Sequence, residues 1–391
     1  MQRLPFFSYV LITLTAAACT DDSASITIST AREPAAIAFR DGPDGAWQVP
    51  TAKAAGSYEI AVHGPYIVSV VCETGDGATV ATRQIARTPD DSRELDLACE
   101  ELPQVSAQVK GEVVQPGAIS VGGLFASSDT PDWELDMGLP AGTFDLIGVS
   151  DSRIMLRRDL AVSGTVDLQT IDIDAQGAEL VPTALTAANA ATGETIRALV
   201  MVTTPKNELG LVHLGAPASA KVAPAAFVTG DVRQTVTMMG QKDNESRVVR
   251  RDFRAGDATS FTLPEPIGPV EFAAQEGQLV ATWSTLPEHD KLVVAVTGEL
   301  ADGKARSHEL ALSQRYLAET GATRATLATD LPGYEAAWKL DLTREHLREA
   351  QAVRERDGEQ ATSGTSKLVS AQPLQAQRAR PPALDRLRLA R

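Results

Sequence analysis

The sequence has few of the residues on which chemistry at protein sites depends. It contains three cysteines, five histidines and only 5% aromatic residues. It has no Gly-x-Ser-x-Gly, no His-Glu-x-x-His, no Gly-x-x-x-x-Gly-Lys-Ser/Thr and no Gly-x-Gly-x-x-Gly. These absences argue against the common serine hydrolases, zinc proteases and nucleotide-binding enzymes. We therefore predict a protein without catalytic residues, cofactor or metal, although an enzyme with a dispersed site stays open.

The chain also lacks an excess of positive charge and a long apolar run. Its 36 Lys and Arg residues face 51 Asp and Glu residues, which gives a net charge of −15. Such an acidic chain is a poor partner for nucleic acid. No stretch reaches the roughly 20 apolar residues that a membrane-spanning helix requires. At 391 residues the chain is long for one core, so several domains are expected.

The first eighteen residues have the pattern of a secretion signal. Arg3 supplies the only charge before residue 21, and a short apolar core spans 6–14. Small residues then precede Cys19, and the chain turns abruptly acidic at Asp21 and Asp22. A basic start, an apolar core and small residues before a cut are typical of exported proteins.

The end of this leader, Ala16-Ala17-Ala18-Cys19, resembles the lipobox of bacterial lipoproteins, although that family usually has Leu where Ala16 stands. The resemblance implies that Cys19 becomes the N-terminus and carries lipid, which would anchor the chain in a membrane. Because Thr20 rather than Asp follows, it also implies the outer membrane, with the protein facing the periplasm or the surface. The alternative is ordinary cleavage after Ala18, which would leave a soluble secreted or periplasmic protein.

The two remaining cysteines are predicted to form a disulfide. Cys72 ends the alternating segment 66–72, and Cys99 ends the alternating segment 94–99, so both thiols point towards a core. An even pair in an exported chain favours a disulfide over the alternative of two buried free thiols. Two cysteines without a nearby histidine are too few ligands for a metal.

Segments with alternating apolar residues, separated by turn residues, predict strands along most of the chain. The predicted fold class is all-β, with tandem immunoglobulin-like or fibronectin-like β-sandwich modules, a short C-terminal helix and a disordered tail. The predicted segments are a signal peptide 1–18, a lipidated tether 19–24, a disulfide-bonded sandwich 25–101, a second sandwich 102–174, a β module 175–264, a further sandwich 265–342, and a helix with a basic tail 343–391.

Two of these segments carry family resemblances. In 102–174, the run Leu139-Pro140-Ala141-Gly142-Thr143-Phe144 resembles a hairpin of carboxypeptidase-regulatory-like and collagen-adhesin-B-like domains. In 265–342, a Trp on an early strand (Trp283) and the later Leu331-Pro332-Gly333-Tyr334 resemble fibronectin type III domains. The first resemblance implies a seven-stranded sandwich that acts as a spacer or adhesive repeat, and the regulatory-like domains are not catalytic themselves.

The C-terminus differs from the rest. The run 342–350 is rich in helix-forming residues, with Thr343 as a cap, and from Gly358 onward polar residues predict disorder. The tail has six basic residues and one acidic residue, Asp385. Its positive charge could contact anionic lipid, lipopolysaccharide or peptidoglycan, or the tail could simply be solvated. These basic residues are Lys367, Arg378, Arg380, Arg386, Arg388 and Arg391.

Three spots could carry chemistry, and each also has a plainer interpretation. His289-Asp290 could bind metal or act as a base, or could be a solvated loop. Asp41 and Asp44, among glycines, could hold calcium or form a hairpin turn. Asp90-Asp91 could imitate a glycosidase pair, but 51 acidic residues place some together by chance.

Three functional hypotheses follow, in this order. The first is a lipid-anchored envelope protein with a structural, scaffolding or adhesive role, for which an envelope protein is a candidate partner. The second is a glycan- or peptide-binding surface protein that uses loops at the ends of the sandwiches. The third is a hydrolase with a dispersed site, which would need a deep pocket joining histidines and carboxylates from different modules.

Overall fold

The computed structural model describes residues 23–74, 79–99, 105–276, 278–299, 304–342 and 344–369. Within these ranges the fold is all-β and sandwich-like, as predicted, with helices α1 (Ile173–Gln176) and α2 (Gln314–Thr320). The strands are β1 Ala24–Ser29, β2 Ala36–Asp41, β3 Thr51–Ala54, β4 Ser57–Val62, β5 Tyr66–Glu73, β6 Thr79–Arg87, β7 Glu94–Asp96, β8 Ala107–Val113, β9 Gly117–Val121, β10 Leu124–Ser128, β11 Trp133–Leu139, β12 Gly142–Ser150, β13 Arg153–Val162, β14 Thr165–Ile171, β15 Ala178–Glu179, β16 Val181–Pro182, β17 Thr186–Ala188, β18 Thr195–Thr204, β19 Asn207–Gly215, β20 Lys221–Val222, β21 Arg233–Lys242, β22 Glu245–Asp252, β23 Ser260–Thr262, β24 Val270–Gln275, β25 Gln278–Trp283, β26 Lys291–Glu299, β27 Ala305–Ser313, β28 Arg324–Leu327, β29 His346–Arg356 and β30 Glu359–Val369.

One long sheet joins strands from four of the predicted segments. Its order is β19-β18-β21-β22-β30-β29-β26-β27-β6-β5-β2, and its pairings are antiparallel except for the parallel pair β27–β6. Eleven strands spaced about 4.8 Å apart give this sheet a width of about 48 Å. The sheet therefore crosses the boundaries that the sequence predicts at 101, 264 and 342, and 25–101 shares a sheet with 265–342.

The helix predicted from Thr343 is wrong. His346–Arg356 forms β29, which pairs with β26 on one side and β30 on the other. These two ladders supply a hydrogen-bond partner on each side, so sheet formation outweighs the helix propensity of the segment. Asp357 and Gly358 make the hairpin turn, with φ of 50° and 77°, as a two-residue Asp-Gly turn requires. Disorder from Gly358 onward is also wrong as far as Val369, and the prediction for 370–391 lies outside the described residues.

The N-terminal sandwich has the predicted disulfide. The sheet β3-β4-β1-β7 packs on one face of β2, β5 and β6, with Ile28, Tyr58 and Val68 in the shared core. Cys72 on β5 and Cys99 after β7 are disulfide-bonded, with Cα atoms 5.2 Å apart. The disulfide therefore fastens the long sheet to the sheet that covers it.

The opposite face of the long sheet is covered in two ways. The sheet β24-β25-β28 packs over β26, β27 and β29. Trp283, on which the fibronectin type III resemblance rests, is buried there with 8% exposure. The chain then continues as a segment, Ala328–Trp338, that lies over β2, β5 and β6. We call it the covering segment. The Gln84 side chain on β6 accepts from the backbone N–H of Ala328 and donates to its carbonyl, both at 3.2 Å.

The second sandwich docks onto the far end of the long sheet. The sheets β11-β8-β14 and β10-β9-β12-β13-β15 enclose one core. The buried Asn207, at the start of β19, donates to the carbonyls of Ser120 and Asp145 at 2.9 and 3.0 Å. These buried hydrogen bonds join the second sandwich to the long sheet, and the more exposed Arg158 adds a link by pairing with Asp145 at 2.8 Å and with Asp231 at 2.6 Å.

Candidate functional site

An open cleft of about 630 Å³ lies where two turns from distant parts of the chain meet. One wall is the turn after β2, which includes Asp44 and Trp47, and the other is the start of the covering segment, with Asp330 and Pro332. Arg40, at the end of β2, also lines the cleft. The residues brought together are separated by almost 300 positions in the sequence.

Local geometry fixes the first wall. Phe39 and Gln48 exchange backbone hydrogen bonds of 2.9 and 2.7 Å, so the chain folds back along β2. Gly45 allows this, because a Cβ at that position would lie 2.1 Å from the carbonyl oxygen of Asp41. The return places the Trp47 ring over Arg40, whose guanidinium carbon lies 5.0 Å from the ring centroid. A cation and an aromatic face at this distance attract each other.

Arg40 is an unusual residue for its position. It shares a face of β2 with Ala36 and Ala38, which are buried under the covering segment. Its Nε is buried and has no hydrogen-bond partner within the described residues. Burial lowers the pKa of Arg40, and the charges of Tyr316, Asp330 and Asp44 oppose that shift. The guanidinium is thus held by stacking, without an ion pair in the described part of the chain.

A second group of polar residues is buried under the other end of the covering segment. Arg306 and His308 on β27 are 1% and 4% exposed. Nη2 of Arg306 donates to Oγ1 of Thr82 at 2.6 Å and to the Tyr334 hydroxyl. Nε and Nη1 of Arg306 and Nε2 of His308 are buried without a partner among the described residues. We refer to these four residues as the buried cationic cluster.

The three spots singled out in the sequence all make contacts within the fold. The Asp41 carboxylate accepts from the backbone N–H of His63 at 3.1 Å and from its Nδ1 at 2.8 Å. The His289 ring binds the carbonyl of Pro287 at 2.6 Å, and Asp290 accepts from the backbone N–H of Glu355 at 2.6 Å. Each of these contacts ties a turn to its neighbour.

The acidic pair is divided between two partners. Asp91 accepts from the Ser313 hydroxyl at 2.6 Å, and Asp90 pairs with Arg315 at 3.5 Å. Of the calcium candidates, Asp44 lines the cleft whereas Asp41 binds His63. In the described ranges, no three His, Cys, Asp or Glu side chains are grouped as metal ligands would be.

Sequence reasoning found both turns of the cleft but missed that they meet. The Asp41–Gly45 turn and the run Leu331-Pro332-Gly333-Tyr334 fall in different predicted modules. The role of Arg40 had a detectable signal, because a charged residue follows Ala36 and Ala38 on the buried face of an alternating strand. Cys19 and its expected lipid lie outside the described residues.

Two findings from the whole chain complete this description. Across the described ranges, no helix combines the length and apolarity needed to span a membrane. Comparison of the sequence with protein-family models and with curated proteins yields no match to either, so function has to be argued from the chain's own residues.

Proposed function

We propose that this chain is an exported, lipid-anchored protein of the cell envelope with a structural, scaffolding or adhesive role and no catalytic activity. The observation that carries the proposal is the disulfide between Cys72 and Cys99, which joins two sheets of the N-terminal sandwich. Disulfides of this kind persist on the oxidising side of a membrane. The third cysteine, Cys19, follows an apolar leader, as a lipid attachment site would.

The long sheet supports a scaffolding role. Strands from four sequence segments share continuous hydrogen-bonded ladders, so these segments have no hinge between them of the kind that separate modules would have. A sheet about 48 Å wide with fixed geometry can hold its two edges at a constant separation. That property suits a spacer or a platform for other envelope proteins.

Export and anchoring can be tested on the mature protein. Expressed with its leader in a Gram-negative host, the wild type should lose residues 1–18, show an acylated Cys19 by mass spectrometry and fractionate with the outer membrane. Cys19→Ala should move to the soluble fraction, whereas Cys72→Ala should stay with the membrane. A full-length chain in the cytosol with all three thiols reactive would disprove export, and a mature chain without lipid would disprove anchoring alone.

Rigidity can be tested by a distance measurement. Val49, beyond β2, and Leu214, on β19, are 66% and 41% exposed at opposite ends of the long sheet. In a Cys19→Ser background, spin labels at Val49→Cys and Leu214→Cys should give one narrow distance distribution. A broad distribution would rule out a scaffold of fixed geometry.

A glycan- or peptide-binding role is the second candidate, and the cleft favours it. The cleft combines an aromatic ring, a guanidinium and carboxylates at turns, where ligand-binding residues are often found.

A further inference from the structure

The guanidinium of Arg40 has donors that the described part of the protein does not use. Its Nε is buried and unpartnered, and no ion pair links it to Asp44 or Asp330, although both line the same cleft. A buried donor without an acceptor costs free energy. Stacking under Trp47 holds the group in place. The two terminal nitrogens, Nη1 and Nη2, are not among the buried unpartnered atoms, so they, rather than Nε, are the donors that a partner entering the cleft would meet.

The neighbours of Arg40 restrict the chemistry of that partner. The planar fork of an arginine matches the two oxygens of a carboxylate. A simple anion entering the cleft would also meet the negative charges of Asp44 and Asp330. A simple cation would meet the positive charge of Arg40. A ligand that carries a carboxylate and an ammonium group a few bonds apart avoids both repulsions.

We propose that this cleft binds the charged ends of an amino acid or short peptide, with the carboxylate on Arg40 and the ammonium group at Asp44 and Asp330. The cleft volume of about 630 Å³ is within the usual range for small-ligand sites. The Trp47 and Pro332 side chains offer apolar surface for the carbon atoms between the two charges. This proposal specifies the peptide-binding candidate given above, and it depends neither on the envelope role nor on the lipid.

Calorimetric titration with alanyl-alanine and its two capped forms tests the proposal directly. The free dipeptide should bind about tenfold or more tightly than N-acetyl-alanyl-alanine, which lacks the ammonium group, or alanyl-alanine amide, which lacks the carboxylate. Running the L,L and D,D dipeptides side by side distinguishes a protein-derived ligand from a cell-wall peptide. Equal binding of free and capped forms, or no heat with either dipeptide up to about 10 mM, would overturn the proposal.

Variants identify the site. Arg40→Gln should weaken binding of the free dipeptide about tenfold or more, and Arg40→Lys should restore it only in part, because lysine lacks the fork. Asp330→Asn tests the ammonium side through an exposed residue of the opposite wall. Arg233→Gln, a 73% exposed side chain paired with Asp252 on another part of the sheet, is the matched control. Undiminished binding in both Arg40→Gln and Asp330→Asn would place the ligand elsewhere and refute the assignment.

Discussion

The buried histidine of the cationic cluster should make the protein lose stability in mild acid. His308 lies inside the core beneath the covering segment, beside the charged Arg306. Burial, and secondarily the charge of Arg306, lowers the pKa of His308 to about 3. In the unfolded chain the same ring titrates near its usual value of about 6.5.

The sign and size of the effect follow from these two values. Above pH 6.5 the ring is neutral in both states, so folding carries no protonation penalty. As pH falls from 6.5 towards 3, only the unfolded chain takes up the proton, and folding becomes less favourable. Between pH 7 and pH 5 this group alone should reduce the free energy of unfolding by about 2 kcal/mol.

The assay is urea denaturation of the wild type and of His308→Gln at pH 7 and pH 5. Between pH 7 and pH 5, the free energy of unfolding of the wild type should fall by about 2 kcal/mol more than that of the variant. His213, whose pKa is also lowered by burial, is present in both proteins and cancels in the difference. The interval ends at pH 5 because most carboxylates titrate below that pH. Burial raises the pKa of Asp145 and that of Glu194, but hydrogen bonds and nearby arginines outweigh it and lower both pKa values overall, so their contributions to stability are present above the unfolded pKa values and are lost only at lower pH.

An identical pH response of the wild type and His308→Gln would refute this reasoning. It would mean that the imidazole accepts a proton in the folded protein as readily as in water. Since Gln could itself disturb the packing at pH 7, His308→Leu serves as a second variant without a titrating group. Agreement between the two variants would assign the pH dependence to the imidazole rather than to a change in packing.

Three further changes test the contacts that hold the fold. Reducing the Cys72–Cys99 disulfide, which closes a loop of 27 residues, should lower the free energy of unfolding by about 3.5 kcal/mol in urea, and the double alanine variant should not respond to reductant. Arg247→Met leaves Glu194 buried at 3% side-chain exposure without its partner and should cost about 3 to 5 kcal/mol, whereas replacing both residues should cost less; equal costs would contradict a buried ion pair. Gln84→Met should cost about 1 to 3 kcal/mol and speed amide hydrogen exchange in the covering segment, and unchanged exchange there would contradict its anchoring role.

Local pattern was enough to predict the all-β class and the disulfide. Alternation placed Cys72 on an inward face of the strand that became β5. Local pattern gave a wrong prediction where the helix propensity of a segment competed with pairing to strands distant in the sequence. The run from Leu342 has good helix formers, yet its neighbours in the sheet decide its structure. The Asp357-Gly358 pair was the available hint of a hairpin there.

The cleft depends on a pairing that local pattern does not encode. Its two turns were each predictable from glycine and proline, but they meet only because β27 lies parallel to β6 in the long sheet. The paired residues Arg306 and Val80 are more than 220 positions apart. The parallel pairing of such distant strands leaves no periodic trace in either one. The site could therefore be recognised only once the sheet order was known.

The position of β30 has a consequence for biosynthesis. The last described strand to be synthesised is inserted between β22 and β29, well inside the sheet. The N-terminal part of the chain emerges first from a ribosome or a translocation pore. Until β30 has emerged, one edge of β22 therefore has no strand to pair with. Open edges invite association with other chains. A nascent chain of this protein should consequently need a holding chaperone until its closing strand has emerged, and a truncation before residue 359 should aggregate rather than yield a smaller domain.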